Sequence, residues 1–253
     1  MLSNVDFYFF SPTGGTRKTG ELLAGAIAEQ VKFFDLGKKE ELEARPEAEV
    51  IVAALPVFGG RVPTVAAKKL QQLQGQGKKA ITLAVYGTRA YEDALLELND
   101  LLEGCGFEIL ASGAFVAQHS MAPEIGAGRP DEKDEKEIRD FGKKILDKLA
   151  EGGNQKIQVP GNHPYKPEFS MPVTPISLSA CNLCQACVKV CPTEAIRVED
   201  GAVVTDAQAC SLCMACVYHC PEKARILPPP MQEQTKNMLG ALKDVRRENQ
   251  MFL

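Results

Sequence analysis

The sequence contains no tryptophan, only three histidines, and few aromatic residues, 6% in all. No apolar run approaches the roughly 18–20 residues that a membrane-spanning helix needs, so a membrane-embedded chain is not expected. The opening MLSNVDFYFF has no basic leader and carries Asp6 inside its apolar stretch, which argues against a secretory signal. A basic excess is missing too. Lys and Arg number 29 against 33 Asp and Glu, a net charge of −4, where nucleic-acid binding needs a basic patch. A cytoplasmic protein without nucleic-acid or membrane partners is the expectation. Cysteine is nearly absent from the first 180 residues, where Cys105 stands alone, and that residue reads as a small core side chain.

What is present is concentrated at the other end. Eight of nine cysteines fall between Cys181 and Cys220, in two copies of one phrase: SACNLCQACVKVCPTEAIRV and QACSLCMACVYHCPEKARIL. Each has the form C-x2-C-x2-C-x3-C-P. Corresponding residues sit 29 apart, including Ala180 and Ala209, Leu183 and Leu212, Ala186 and Ala215, Val188 and Val217, and Ala195 and Ala224. Clustered cysteines in a reducing compartment indicate metal or redox chemistry rather than disulfides. Zinc sites come as separated pairs or Cys/His mixtures, which this pattern does not resemble. The segment Ala195–Asp206 joins the copies and predicts a hairpin turning at Asp200–Gly201. His219 lies beside a cysteine that already completes its quartet, so it reads as a neighbour and not a ligand.

The first 150 residues alternate apolar runs with helix-like segments. Val5–Phe10, Val50–Val57, Ala80–Tyr86 and Phe107–Ala117 predict buried strands, with a weaker one at Val31–Phe34. Helices are expected at about 16–29, 62–74, 91–103 and 131–150. This order predicts an α/β fold with a parallel sheet covered on both faces. Ligands then bind beyond the carboxyl ends of the strands. Three segments fall at that edge. SPTGGTRKT supplies two glycines, the hydroxyls of Ser11, Thr13 and Thr16, and a following helix N-terminus, a combination suited to phosphate. It is neither GxGxxG nor a P-loop, because Pro12 and Arg17 stand where a P-loop needs glycine. LPVFGGRVP contributes a flexible Gly59–Gly60 peptide and the flat face of Phe58. VYGTRAYED contributes Tyr86 and Tyr91.

Ser11, Thr13, Gly14 and Thr16 match the T/S-x-T-G-x-T turn of flavodoxins. With PVFGGRVP and YGTRAYEDAL, the chain resembles the ferredoxin–flavodoxin fusion proteins of anaerobic microbes. The cysteine repeat resembles the two-cluster 4Fe-4S ferredoxins over its whole length. The resemblance implies a flavodoxin-like parallel sheet of order 2-1-3-4-5 and a C-terminal α+β ferredoxin-like domain. It implies FMN, held through Ser11, Thr13, Gly14, Gly15 and Thr16 at the phosphate. The ring would lie against Pro56, Val57, Phe58, Gly59, Gly60, Tyr86, Gly87, Thr88, Arg89 and Tyr91, with a backbone carbonyl near Gly59 meeting the reduced flavin's N5–H. Without tryptophan, stacking falls to Phe58, Tyr86 or Tyr91, or is absent. Thr88 stands where the family has asparagine, which removes a side-chain amide. For the clusters it implies crossed ligation, Cys181, Cys184, Cys187 and Cys220 on one, Cys210, Cys213, Cys216 and Cys191 on the other.

The expected organisation is a flavodoxin-like domain over 1–150, a Pro-rich linker over 151–175, a ferredoxin domain over 176–228, and a C-terminal helix over 229–253 packing on the first domain. Within the linker, Val159–Pro175 reads as a strap, and Gln232–Phe252 reads as an amphipathic helix through Met238, Leu242 and Val245. The function expected is electron transfer between one-electron redox protein partners and two-electron chemistry. Two alternatives stand beside it. One is an FMN-dependent reductase of a small substrate oriented by Arg61, Arg89 or His119, and the other is a redox-sensing interaction protein. No acid–base constellation stands out, and no nicotinamide-binding domain is evident.

Overall fold

The computed structural model describes residues 1–152, 155–168 and 171–253. Its elements are β1 (Leu2–Phe9), α1 (Gly15–Ile27), β2 (Ala28–Asp35), β3 (Val50–Pro56), α2 (Thr64–Leu70), β4 (Lys79–Tyr86), α3 (Ala94–Gly104), β5 (Glu108–Val116) and α4 (Glu132–Ala150). The cysteine-rich segment adds β6 (Ile176–Ser177), α5 (Ala186–Lys189), β7 (Ile196–Glu199), β8 (Ala202–Thr205), α6 (Ala215–Tyr218) and β9 (Arg225–Ile226). The tail forms α7 (Pro229–Leu239), a short 3-10 turn (Gly240–Leu242) and β10 (Gln250–Phe252). None of the described helices is long and apolar enough to cross a membrane.

Five strands run parallel in the order β2-β1-β3-β4-β5, the flavodoxin-like order, with the reversal between β1 and β3. The central strands read as unbroken apolar runs because both sheet faces are covered. One core packs Ile51, Leu55, Leu70, Leu98 and Leu102 beneath α2 and α3; the other packs Phe7, Leu23, Val52, Ile138 and Phe141 beneath α1 and α4. Edge strand β2 is mostly exposed instead, with Phe33 47% exposed, which is why its sequence signal is weak. Helix α4 begins at a capping box in which Asp131 accepts from the Asp134 N–H and Asp134 returns the bond.

The tail departs from the expectation of one helix to Phe252. Helix α7 stops at Leu239, whose side chain is buried against Ala122 and Ile125. Beyond the 3-10 turn the chain extends, and β10 pairs antiparallel with β5 at the sheet edge. Polar anchors explain the change. Asn249 accepts from the Val116 N–H at 3.0 Å and donates to Asp134 at 2.9 Å, and Arg246 pairs with Asp131 at 2.6 Å. A β5 edge left with unpaired backbone groups is thereby covered.

The Pro-rich stretch lies across α3. The Asn162 N–H, the Asn162 side-chain amide and the Lys166 N–H all donate to buried Asp93, at 3.0, 3.0 and 2.8 Å. Burial alone would raise the Asp93 carboxyl pKa, but these donors hold it below its usual value. Gly153, Asn154, Phe169 and Ser170 of the expected linker lie outside the described residues.

Candidate functional site: a cleft between the sheet edge and the cysteine repeat

The turn after β1 has the features of an anion cradle. Gly14 adopts φ 88°, a left-handed conformation costly to a side chain, and opens α1 without a side-chain cap. The Gly15 and Thr16 N–H groups therefore have no intrahelical acceptor. Ser11 accepts from the Arg17 N–H at 2.9 Å, which closes the turn around these donors. Gly15 is packed so closely that an added Cβ would stand 3.0 Å from Ala117 Cβ.

The second loop is a two-residue turn. Phe58 and Arg61 exchange backbone hydrogen bonds of 2.9 and 3.1 Å around Gly59 (φ 59°) and Gly60 (φ 91°). The left-handed φ of Gly60 strains any side chain placed there, and a Cβ would also have to displace the Glu92 carboxylate, 1.8 Å away. Arg61 is not free to orient a substrate. Glu97 holds it through Nε and a second nitrogen at 2.7 Å each, and its guanidinium stacks on Tyr165 at 4.8 Å. Arg89 is likewise engaged, by Glu92 at 3.0 Å.

The third loop corrects one expectation. Tyr86 and Tyr91 do not offer stacking faces: they are 6% and 8% exposed, packed on each other at 5.5 Å, and the Tyr91 hydroxyl donates to Gln250 in β10. Burial raises both phenol pKa values. Thr88 (φ 66°) is fully buried with an unpartnered hydroxyl, so its side chain is not presented to a ligand. Phe58, half-buried at the cleft, is the one aromatic face left of the three.

A cleft of about 120 Å³ lies between Phe58–Gly59, Arg89 and His119 on the sheet side and Ser211–Leu212 with Met231 and Thr235 on the other. Thr235 is 2% exposed and its hydroxyl has no partner. The His119 Nδ1 accepts from the Met121 and Ala122 N–H groups at 3.2 and 3.3 Å, which places the ring proton on Nε2. Burial, with the Arg89 charge, lowers its pKa and keeps the imidazole neutral. A second cavity joins Ser11 and Pro12 to Lys189, Cys191 and His219. Cys213 and Ala215 pack into the same core as Phe10 and Tyr8. The cysteine repeat thus contributes a wall to both cavities, a feature no local pattern could announce.

Within the repeat, Cys181, Cys184, Cys187 and Cys220 line one small cavity. Cys191, although it belongs to the first copy, packs on the apolar cluster that contains Cys216 of the second. Burial dominates the thiols of Cys210, Cys213 and Cys216, raising all three and pushing Cys213 up to about 12. The backbone repeats as well. Leu183 and Leu212, Gln185 and Met214, and Glu194 and Lys223 all adopt positive φ, between 49° and 67°, at the 29-residue offset. Each left-handed non-glycine residue costs about 1–2 kcal/mol, and such conformations persist where a ligand clamp over-determines them. The Asp200–Gly201 turn has φ 50° and 73°, as the hairpin requires.

Residues 175–221 match the family model of the 4Fe-4S dicluster domain. A flavodoxin-like fold is joined here to a 4Fe-4S dicluster domain. No curated protein matches the chain. Among solved structures, a flavodoxin of Streptococcus pneumonia TIGR4 is similar over 58% of this chain and 99% of its own, at 17% identity and a TM-score of 0.45. Flavodoxin 1 from Bacillus cereus is similar over 57% and 98%, at 17% identity and 0.44. The rubredoxin oxygen:oxidoreductase of Desulfovibrio gigas is similar over 58% of this chain and 36% of its own, at 16% identity and 0.44.

Proposed function

We propose that this flavodoxin–ferredoxin fusion is an electron-transfer protein that couples two 4Fe-4S clusters to FMN, with its units at 1–150 and 176–228. The observation that carries the reading is that the cysteine repeat walls two cavities at this sheet edge, Cys191 opposite Ser11–Pro12 and Ser211 opposite Phe58–Gly59, with Cys213 packed into the core beside Phe10. When bound, the clusters supply one-electron passage and the flavin supplies one- or two-electron storage. Cys191, Cys210, Cys213 and Cys216 would hold the cluster nearer the flavin. Cys181, Cys184, Cys187 and Cys220 would hold the other, where exposed Cys184 would lie toward redox protein partners.

The residues present fit these groups. Buried thiols that resist ionisation alone are the ones a polynuclear cation stabilises as thiolates. The free N–H groups of Gly15 and Thr16 suit a phosphate, and Phe58 borders the cleft where a ring would lie. Ser11, Thr13, Gly14 and Thr16 orient the phosphate end, while neutral His119 offers an Nε2–H donor at the ring edge. Pro56, Val57, Gly60, Gly87 and Arg89 shape the loops rather than grip the ligand. Anaerobic purification with quantified iron, sulfide and flavin tests the reading. About eight irons and about one FMN per chain are expected; two zincs, or a Ser11–Thr16 turn that takes up no FMN from excess, would overturn it.

The neutral His119 beside an open cleft favours one further reading, reduction of a small substrate over the flavin. Substrate-dependent turnover abolished in a His119→Gln protein would select it over pure electron transfer.

A further inference from the structure

The two copies of the cysteine phrase diverge where they should agree. Position 196, after the first C-P-x-x-A, is isoleucine; its counterpart 29 residues on is Arg225. Both are buried, Ile196 at 5% and Arg225 at 2% exposure. An apolar site in one copy holds a permanent cation in the other. That cation has no carboxylate partner among the described residues. Its terminal nitrogens are held by two hydroxyls, Ser177 Oγ at 3.1 Å and Thr205 Oγ1 at 2.8 Å, and its Nε has no hydrogen-bond partner among the described residues. A buried guanidinium without a counter-anion is strongly unfavourable. The hydroxyls orient the group but contribute no negative charge.

The missing anion is next to it. Arg225 lines the cavity formed by Cys181, Cys184, Cys187 and Cys220. It also stands beside α6, and its charge reaches Cys210 and Cys216 of the other set. It therefore faces both groups of thiols from one fixed position, with Ser177 and Thr205 tying it to β6 and β8.

We infer that Arg225 is the shared counter-ion of both cysteine quartets, a positioning residue whose fixed charge raises the reduction potential of both clusters and favours their assembly. This rests on the two-cluster reading above. A reduced cluster carries one more negative charge than an oxidised one, so a fixed cation nearby stabilises the reduced form more. Because one side chain serves both quartets, its removal moves both clusters in the same direction.

The test compares the full-length holoprotein with Arg225→Gln, Arg225→Ile and Arg225→Lys variants prepared anaerobically. Iron and sulfide per chain are measured, followed by potentiometric titration monitored by electron paramagnetic resonance. Arg225→Gln and Arg225→Ile, the second restoring the residue of the first copy, are expected to lower both midpoints. Arg225→Lys is expected to stay closer to the parent. Loss of iron in the two neutral variants with retention in Arg225→Lys supports the same assignment through assembly. Unchanged midpoints in a fully loaded Arg225→Gln protein would overturn it, as would Arg225→Lys behaving like Arg225→Ile, since packing rather than charge would then be at stake. A parent protein without iron would instead overturn the two-cluster reading.

Discussion

Replacing Asp134 by alanine removes the acceptor on which four residues of α4 and its surroundings converge. Its carboxylate, 1% exposed, accepts from Arg129 Nε at 2.8 Å and a second Arg129 nitrogen, from the Asp131 N–H at 3.0 Å, from Asn249 at 2.9 Å and from Arg246 at 3.4 Å. Arg129, 9% exposed, would keep only its bond to the Arg247 carbonyl, at 2.6 Å. Removing one partner of such a buried pair costs about 3–5 kcal/mol, mostly as the charge left behind. For a unit of this size each kcal/mol lowers Tm by about 2–4 °C, so a loss of roughly 6–20 °C is expected by calorimetry. Arg246→Ala is the control. Its pair with Asp131 is more than a third exposed, and the loss there should stay below about 1 kcal/mol. The pH dependence follows in sign. Burial alone would raise the Asp134 carboxyl, but Arg129, the Asp131 N–H and Asn249 outweigh it and hold the pKa below the ordinary 3.8. Its stabilisation is complete above the unfolded value and is lost as pH falls through the lower folded one. Hydrogen exchange at Gln250–Phe252 should therefore accelerate below about pH 4 in the parent and at neutral pH in Asp134→Ala. A variant that melts no lower than Arg246→Ala would refute the reasoning.

Gly60→Ala forces a left-handed alanine against Glu92 and should weaken FMN binding by about tenfold, read by quenching of flavin fluorescence; unchanged affinity would show that the Gly59–Gly60 turn does not shape the site. His119 has a pKa lowered first by burial, so the folded state binds fewer protons than the unfolded, and stability falls as pH drops below the ordinary 6.5. His119→Gln should flatten that part of the slope in melts compared between mildly acidic and neutral buffer. Cys184→Ser and Cys213→Ser should each lose about half the iron, but only Cys213→Ser, packed into the core beside Phe10, should slow flavin reduction by reduced ferredoxin in stopped-flow; the reverse order would invert the path.

Much of this protein is legible from spacing alone. The alternation of apolar runs with helical segments determined the five parallel strands, because strands covered on both faces must be apolar throughout. The cysteine phrase and its 29-residue offset marked the two quartets and the Asp200–Gly201 hairpin between them, since these are set by residues close in sequence, while the repeated left-handed backbone and the short helices α5 and α6 emerged with the structure. The tertiary structure decided the rest. Tyr86 and Tyr91 look available in a loop but turn inward because β10 and α3 surround them, leaving Phe58 at the cleft. The tail reads as helix by periodicity yet ends as a strand, because the open edge of β5 and the acceptor at Asp134 lie more than 100 residues away. Which cysteine quartet faces the flavodoxin-like sheet depends on how two separately built surfaces meet. The placement of buried Arg225 beside thiols from both copies depends on how the two copies pack on each other. Local pattern carries the periodicity of backbone and side chain; it carries no record of which distant charge or edge will need a partner once the chain is packed.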